Sequence, residues 1–149
     1  MDIDKARALA QELMVFHGLT EWSFGFDRAK QRAGAAHFDR QQITLSRALT
    51  EASTDDAVRD TILHEIAHVL VGPGHGHDRL WHETCVRIGG SGHVRLRDAP
   101  HIPGAWVGVC PAGHRVERFR RPSRPMSCTR CHPREFSADH QFVWRRREH

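Results

Sequence analysis

The chain has 149 residues, which suits one compact domain with at most a small appendage and excludes a large multidomain protein. It holds four cysteines, thirteen histidines and no tyrosine, so a mechanism that needs a phenol hydroxyl is excluded, and metal binding or burial is favoured over a disulfide framework. The net charge is +4, no apolar run is long enough to span a bilayer, and the first residues lack a signal-peptide pattern. We therefore expect a cytoplasmic protein without a membrane partner.

The N-terminal part predicts one helix and a small sheet. Apolar residues recur at helical spacing over residues 3–17, and the helix should end near Gly18. Alternating Trp22, Phe24 and Phe26 predict a half-buried strand. Two further strand-like runs, at 35–38 and around 43–45, flank a polar turn, so we expect a short antiparallel sheet.

Two helices are predicted next. The first should begin at Ser53, which stands at capping-box spacing from Asp56, and end at Val71 before a Gly-Pro-Gly sequence. Its second half is apolar on nearly all sides, which is typical of a buried central helix. The second fits residues 79–89, with Asp78 as N-cap. Its expected inner face consists of Leu80, Trp81, Thr84, Cys85 and Ile88.

The central helix contains the pattern His64-Glu65-Ile66-Ala67-His68. Residues four apart lie on one helical face, so both imidazoles can bind one zinc ion, with Glu65 close enough to reach a water molecule there. Two imidazoles and a carboxylate are costly to bury in an apolar helix without a ligand. The alternative is a pair of core histidines that bind no metal.

A catalytic zinc ion usually has three protein ligands, and the glycine-rich segment after the helix offers two candidates for the third. These are His75 and His77, and the spacing alone leaves both open. Asp60, one turn before His64, is a candidate for orienting its imidazole, and a solvated charge on the helix face is the alternative.

The histidine pattern followed by His77-x-x-x-Trp81 resembles the SprT-like family, which includes the Spartan proteases of DNA–protein crosslink repair. That family's second block usually reads His-Gly-x-x-Trp; Asp78 replaces the glycine here, and both residues are acceptable N-caps. The resemblance implies that His77 is the third ligand. It also implies an α+β fold, with a small zincin-like catalytic domain of helices and a short antiparallel sheet, and zinc-dependent hydrolysis of peptide bonds in a protein or peptide substrate.

In this mechanism Glu65 would act as the general base. The carbonyl oxygen of the substrate would need a further partner besides zinc. Because tyrosine is absent, the candidate side chains are His75, Arg79 and His82.

Pro100, Pro103 and Gly104 mark a linker, so the predicted domains are residues 1–98, the metallopeptidase, and residues 99–149, a β zinc ribbon with a basic tail. Strands are predicted at 106–109, 116–119 and 142–144. A structural zinc site is predicted from Cys110, His114, Cys128 and Cys131. SprT-like proteins commonly have a cysteine where Gly113 stands, so an eroded ribbon with His132 or with no metal is the alternative.

Positive charge is concentrated in this second part. Residues 1–92 carry ten basic and thirteen acidic side chains, whereas residues 93–149 carry twelve arginines and five acidic side chains. Arginine suits phosphate oxygens, and Phe119 or Trp144 is a candidate for stacking on an unpaired base. The candidate contacts to DNA, with single strands preferred, are Arg118, Arg120, Arg121, Arg124 and Arg130.

Competing interpretations remain at this stage. The basic surface is also explained by a solvated face or by a general preference for arginine, since the chain has only two lysines. Two other functions compete with the peptidase: a non-catalytic nucleic-acid-binding zinc protein, and a three-histidine zinc hydrolase acting on RNA. The sequence leaves the oligomeric state open.

Overall fold

The structure, a computed structural model, describes residues 1–148. The chain forms two compact units, Met1–Ile102 and Pro103–His149, and His149 itself lies outside the described residues. None of the helices described combines the length and hydropathy that crossing a lipid bilayer requires.

The first unit begins with α1 (Ile3–Phe16), as the periodicity predicts. The side chain of Asp2 caps the helix by accepting hydrogen bonds from the backbone N–H groups of Asp4 and Lys5. The buried face consists of Ala6, Ala10, Leu13 and Met14. Phe16, which the periodicity places on the apolar face, is 80% exposed because it is the last helical residue.

Three strands form a sheet in the order β1-β3-β2: β1 (Ser23–Asp27), β2 (Gly34–His37) and β3 (Gln42–Ser46). The pairing of β2 with β3 is antiparallel, as expected, but the pairing of β1 with β3 is parallel, which corrects the prediction of a wholly antiparallel sheet. The reason is burial. Four of the five residues of β3 are buried, so β3 occupies the centre and β2 becomes an edge strand.

Two helices follow the sheet. The short helix α2 (Arg47–Ala52), capped by Ser46, was not predicted. The central helix α3 (Asp55–Val71) begins one residue later than predicted, because Thr54 rather than Ser53 accepts the hydrogen bond from the N–H of Ala57. It is buried through Val58, Ile62, Leu63, Glu65, Ile66 and Ala67.

Helix α4 (Arg79–Arg87) is capped by Asp78, whose carboxylate accepts a hydrogen bond from the N–H of Trp81. Trp81 and Cys85 are buried against Ala67 of α3, as predicted for the inner face. Leu80 is 48% exposed, so its predicted place in the core is wrong.

The second unit contains the antiparallel sheet β5-β4-β6, formed by β4 (Trp106–Val109), β5 (Arg115–Arg118) and β6 (Val143–Arg146). A short 3-10 helix, Ala138–His140, precedes β6. The small core consists of Cys110, Cys128 and Phe142, with Val116, Met126, Cys131 and Trp144 partly buried around them. All three predicted strands are confirmed to within a residue or two.

Candidate metal centres

Three imidazoles converge in the first unit. His64 and His68 lie one turn apart on α3, and His77 approaches from the loop before α4. The Nε2 atom of His77 is 2.9 Å from that of His64 and 3.1 Å from that of His68. Tetrahedral zinc with bonds of about 2.0–2.1 Å holds its nitrogens about 3.3 Å apart. The three nitrogens are therefore spaced as ligands of one zinc ion.

His75, the rival to His77, is not in this cluster. Its Nδ1 lies 2.7 Å from a carboxylate oxygen of Asp78, the residue that caps α4. The structure thus brings His77 rather than His75 to the two helical histidines. His75 remains on the wall of the cleft above them.

Trp81 supports the three imidazoles from below. Its ring centroid lies 4.6 Å from those of His64 and His77 and 5.3 Å from that of His68. The indole N–H donates to the carbonyl of His64, at 3.3 Å, and the side chain is fully buried. The sequence motif includes this tryptophan, but only the structure shows that it contacts all three rings.

The backbone carbonyl of His93 determines the tautomer of His64. The two atoms, Nδ1 of His64 and the carbonyl oxygen, are 3.2 Å apart. Because a carbonyl only accepts, Nδ1 carries the hydrogen and Nε2 presents its lone pair to the cluster. Burial and the neighbouring imidazoles lower the pKa of His64 to about 4, and burial and His77 lower that of His68 to about 4. Both rings are therefore neutral at pH 7, as metal ligands must be.

Glu65 is buried beside these ligands, with 6% of its surface exposed. Burial raises the pKa of this carboxyl to about 7; Arg32 opposes the shift and Asp27 adds to it. The side chain lies against Gly34 of strand β2. A Cβ atom at position 34 would lie only 3.0 Å from Cγ and Oε1 of Glu65, so glycine leaves the room that this carboxylate needs. Sequence reasoning missed this contact.

An open cleft of about 750 Å³ lies over the cluster. Residues of β2 and the preceding loop line one side, and residues 94–96 and 99 line another. His64, Glu65 and His68 also line the cleft. Of the three candidates for stabilising a carbonyl oxygen, only His75 lines it, whereas Arg79 pairs with Glu83 at 2.7 Å and Nδ1 of His82 donates to the carbonyl of Gly92 at 3.2 Å.

A second cluster lies in the other unit, where Cys110, His114, Cys128 and Cys131 converge. Nδ1 of His114 is 3.5, 3.4 and 3.3 Å from the Sγ atoms of Cys110, Cys128 and Cys131, and the Sγ atoms of Cys110 and Cys131 are 3.9 Å apart. Tetrahedral zinc with Zn–S bonds of about 2.3 Å separates two sulfurs by about 3.8 Å and a sulfur from a nitrogen by about 3.6 Å. The spacing again fits zinc.

The first knuckle of this cluster uses His114 because of a tight turn. Gly113 has φ +86°, and its N–H donates to the carbonyl of Cys110 at 2.9 Å. The N–H of Cys110 in turn donates to the carbonyl of His114, so the next residue, His114, faces the cysteines. The alternative ligand, His132, lies 3.9 Å from the carboxylate of Glu135 and is not in the cluster.

The thiols are costly to ionise without a cation among them. Desolvation and the neighbouring thiols of Cys128 and Cys110 raise the pKa of Cys131 to about 11. A divalent cation at the centre of the cluster would offset this repulsion between thiolates. The donor set is therefore that of a closed structural zinc site.

The profile of the SprT-like family matches residues 6–101, more than half of the chain. The chain belongs to the SprT-like family. The matched segment contains the three histidines and Glu65 and ends before Cys110, so the second cluster lies outside it. No curated protein matches the chain in a sequence comparison.

Among solved structures, the chain is similar to the crystal structure of the metallopeptidase zymogen of Methanocaldococcus jannaschii jannalysin. The TM-score is 0.50 at 18% identity, over 58% of this chain and 82% of that chain. This likeness confirms the zincin-like α+β fold, and family membership supports a metallopeptidase-like function.

The candidate DNA contacts stay predictions. Arg118, Arg120, Arg121, Arg124 and Arg130 are all exposed. The guanidinium of Arg121 lies 5.4 Å from the ring centroid of Trp106. Phe119 is exposed, whereas the ring of Trp144 packs over Gly108 and beside Phe142, which leaves it poorly placed to stack on a base.

Proposed function

We propose that this protein is a zinc-dependent endopeptidase of the HExxH type, with residues 1–98 as its catalytic domain and residues 99–149 as a zinc-ribbon module. The observation that supports this most is the spacing of three Nε2 atoms in an open cleft, with a buried carboxylate beside them. Glu65 adjacent to the first ligand favours a peptidase over a three-histidine RNA hydrolase.

In this proposal His64, His68 and His77 hold the catalytic zinc. Bound there, zinc would polarise the scissile carbonyl and lower the pKa of a water molecule. Glu65 takes the proton from the attacking water and passes it to the leaving amine. A pKa of about 7 suits both steps, because the same carboxyl must accept and then release a proton near neutral pH.

The cleft suits an extended polypeptide. Strand β2 is an edge strand, and its residues line the cleft beside Glu65. A substrate segment can therefore pair with the free edge of β2 and bring a peptide bond over the histidines. His75 on the opposite wall is the side chain placed to donate a hydrogen bond to the carbonyl oxygen.

The substitution Glu65→Gln tests this function. It keeps the shape of the side chain but removes the base, so we expect hydrolysis of an unfolded protein to fall by about 10²–10⁴-fold while zinc content is retained. Glu12→Gln, an exposed change on α1, serves as the matched control. Unchanged hydrolysis by Glu65→Gln, or cleavage of RNA instead of protein by the zinc-loaded wild type, would contradict the proposal.

We further propose that the exposed arginines of the ribbon module contact single-stranded DNA. The support is the concentration of positive charge in this part of the chain and the exposure of Phe119 beside it. Titration of labelled single-stranded DNA at several salt concentrations measures the number of phosphate contacts.

Replacing both Arg120 and Arg124 by alanine should weaken binding and reduce the salt slope by about 0.7 per lost contact. Arg59→Ala, an exposed change on α3, should leave both unchanged. Binding that is absent or independent of salt would refute the DNA contact without affecting the peptidase proposal.

A further inference from the structure

We propose that Asp60, acting through Ser91, positions the carbonyl of His93 against His64 and so holds this imidazole in the tautomer and direction that bind zinc. The inference rests on the proposed role of His64 as a zinc ligand. It assigns Asp60 and Ser91 as positioning residues, since neither belongs to the histidine cluster.

A continuous chain of hydrogen bonds connects the two ends. The N–H and the hydroxyl of Ser91 donate to the two carboxylate oxygens of Asp60, at 2.6 and 2.7 Å. The N–H of His93 donates to the hydroxyl oxygen of Ser91 at 3.2 Å. The carbonyl of His93 then accepts from Nδ1 of His64 at 3.2 Å. Asp60 and His64 lie on the same helix, so this chain closes a ring through the loop after α4.

The loop is also tied to α4, which removes its other conformations. The N–H of Gly90 donates to the carbonyl of Cys85 at 2.8 Å, and the carbonyl of Gly92 accepts from His82 at 3.2 Å. A Cβ atom would lie 2.5 Å from Sγ of Cys85 at position 90, and 2.6 Å from Cε1 of His82 at position 92. The close packing of these glycines brings the loop down onto α4, and the link to Asp60 fixes its distance from α3.

Asp60 therefore acts differently from the direct contact that the sequence favoured. Both of its carboxylate oxygens accept from Ser91, and the group that touches His64 is a backbone carbonyl. A carbonyl that is held in place requires a hydrogen on Nδ1 and leaves Nε2 as the lone-pair donor. Without the link, the loop would release this carbonyl and the imidazole would gain access to its other tautomer and rotamers.

Zinc affinity of the full-length protein tests the inference. Cobalt(II) in place of zinc distinguishes the two clusters, because thiolate ligands give charge-transfer absorption and an all-imidazole site does not. We expect Asp60→Ala to raise the dissociation constant of the histidine centre by about 10–100-fold, the usual effect of losing such an outer partner of a metal ligand. Asp56→Ala, one turn earlier on the same helix, should leave it unchanged.

Ser91→Ala and Ser91→Thr supply a second pair, which remains informative if Asp60→Ala does not fold. Alanine removes the hydroxyl that joins Asp60 to His93, so affinity should fall, whereas threonine keeps the hydroxyl and should restore it. Equal affinities for these two variants and the wild type would overturn the inference.

A third readout needs no metal. Long-range proton–nitrogen NMR of the metal-free protein should show His64 with its hydrogen on Nδ1 in the wild type, and a mixture of tautomers in Ser91→Ala. A wild-type His64 with its hydrogen on Nε2 would refute the inference. These measurements stand apart from the proposed function, because a protein that binds zinc but hydrolyses no peptide would still show the differences.

Discussion

The two metal clusters of this protein place similar donors in opposite settings. In the first unit three imidazoles meet at an open cleft, and a helix, a loop and a buried tryptophan hold them in place. In the second unit three thiols and one imidazole close around a point, and two of these cysteines are themselves the core. An open coordination position serves catalysis, whereas a complete set of four ligands serves stability.

The difference teaches what each unit owes to a metal ion. The first unit has a core of about a dozen buried apolar residues from α1, α3 and the sheet, so packing alone can hold its ligands. The second has only Cys110, Cys128 and Phe142 at its centre, too little apolar surface for a segment of its size. We therefore expect zinc to be a cofactor in one unit and part of the fold in the other.

Removal of metal should separate the two units most strongly. A strong chelator should unfold residues 103–148 and leave residues 1–102 folded, because a structural zinc ion contributes about 10–16 kcal/mol to the folding of a small zinc module. Amide resonances from both units in NMR spectra of the full chain measure this directly. A second unit that keeps its dispersed resonances after chelation would show that its zinc is dispensable.

Single ligand substitutions should reproduce this contrast. Cys128→Ala should unfold the second unit, since it removes both a ligand and a core side chain. His68→Ala should leave the first unit folded, because His68 is half-buried at the edge of the cleft, but should abolish its zinc binding and peptidase activity. Circular dichroism and metal analysis of the two variants provide the measurement, and unfolding of His68→Ala would make the units alike.

Gly34→Ala tests whether packing positions the base of the first centre. The new methyl group would meet Glu65 and Leu45 at 3.0 Å, so we expect a loss of about 1–3 kcal/mol in stability and a lower kcat with zinc retained. Gly25→Ala on β1 is the control, because its methyl group would meet only the flexible end of Gln42. Equal activities of the two variants would separate Glu65 from this contact.

The smallest expected effect concerns the cap of α4, which holds the loop that carries His77. Asp78→Ala should cost about 0.5–2 kcal/mol of stability, while Asp78→Gly should cost only a few tenths (about 0.3 kcal/mol), since glycine is itself an acceptable N-cap. Chemical denaturation of the metal-free protein measures both changes in the first unit. A larger loss for glycine than for alanine would mean that the carboxylate acts chiefly through His75.

Local patterns were enough to predict much of this protein. The helical repeat placed His64 and His68 on one face, and the spacing of the knuckles placed Cys110, Cys128 and Cys131 in one site. Strands and helices with clear periodicity or capping residues were also predicted correctly. These features depend on residues close in sequence, whose geometry the backbone itself restricts.

The remaining features were decided by contacts between distant segments. Only the tertiary structure placed β3 between its neighbours and made its pairing with β1 parallel. Only it brought His77 rather than His75 to the helix by geometry, set Gly34 against Glu65, and joined Asp60 to His64 through a loop some thirty residues away. Packing chooses among such partners by shape and burial, and neither is written in the spacing of residues along the chain.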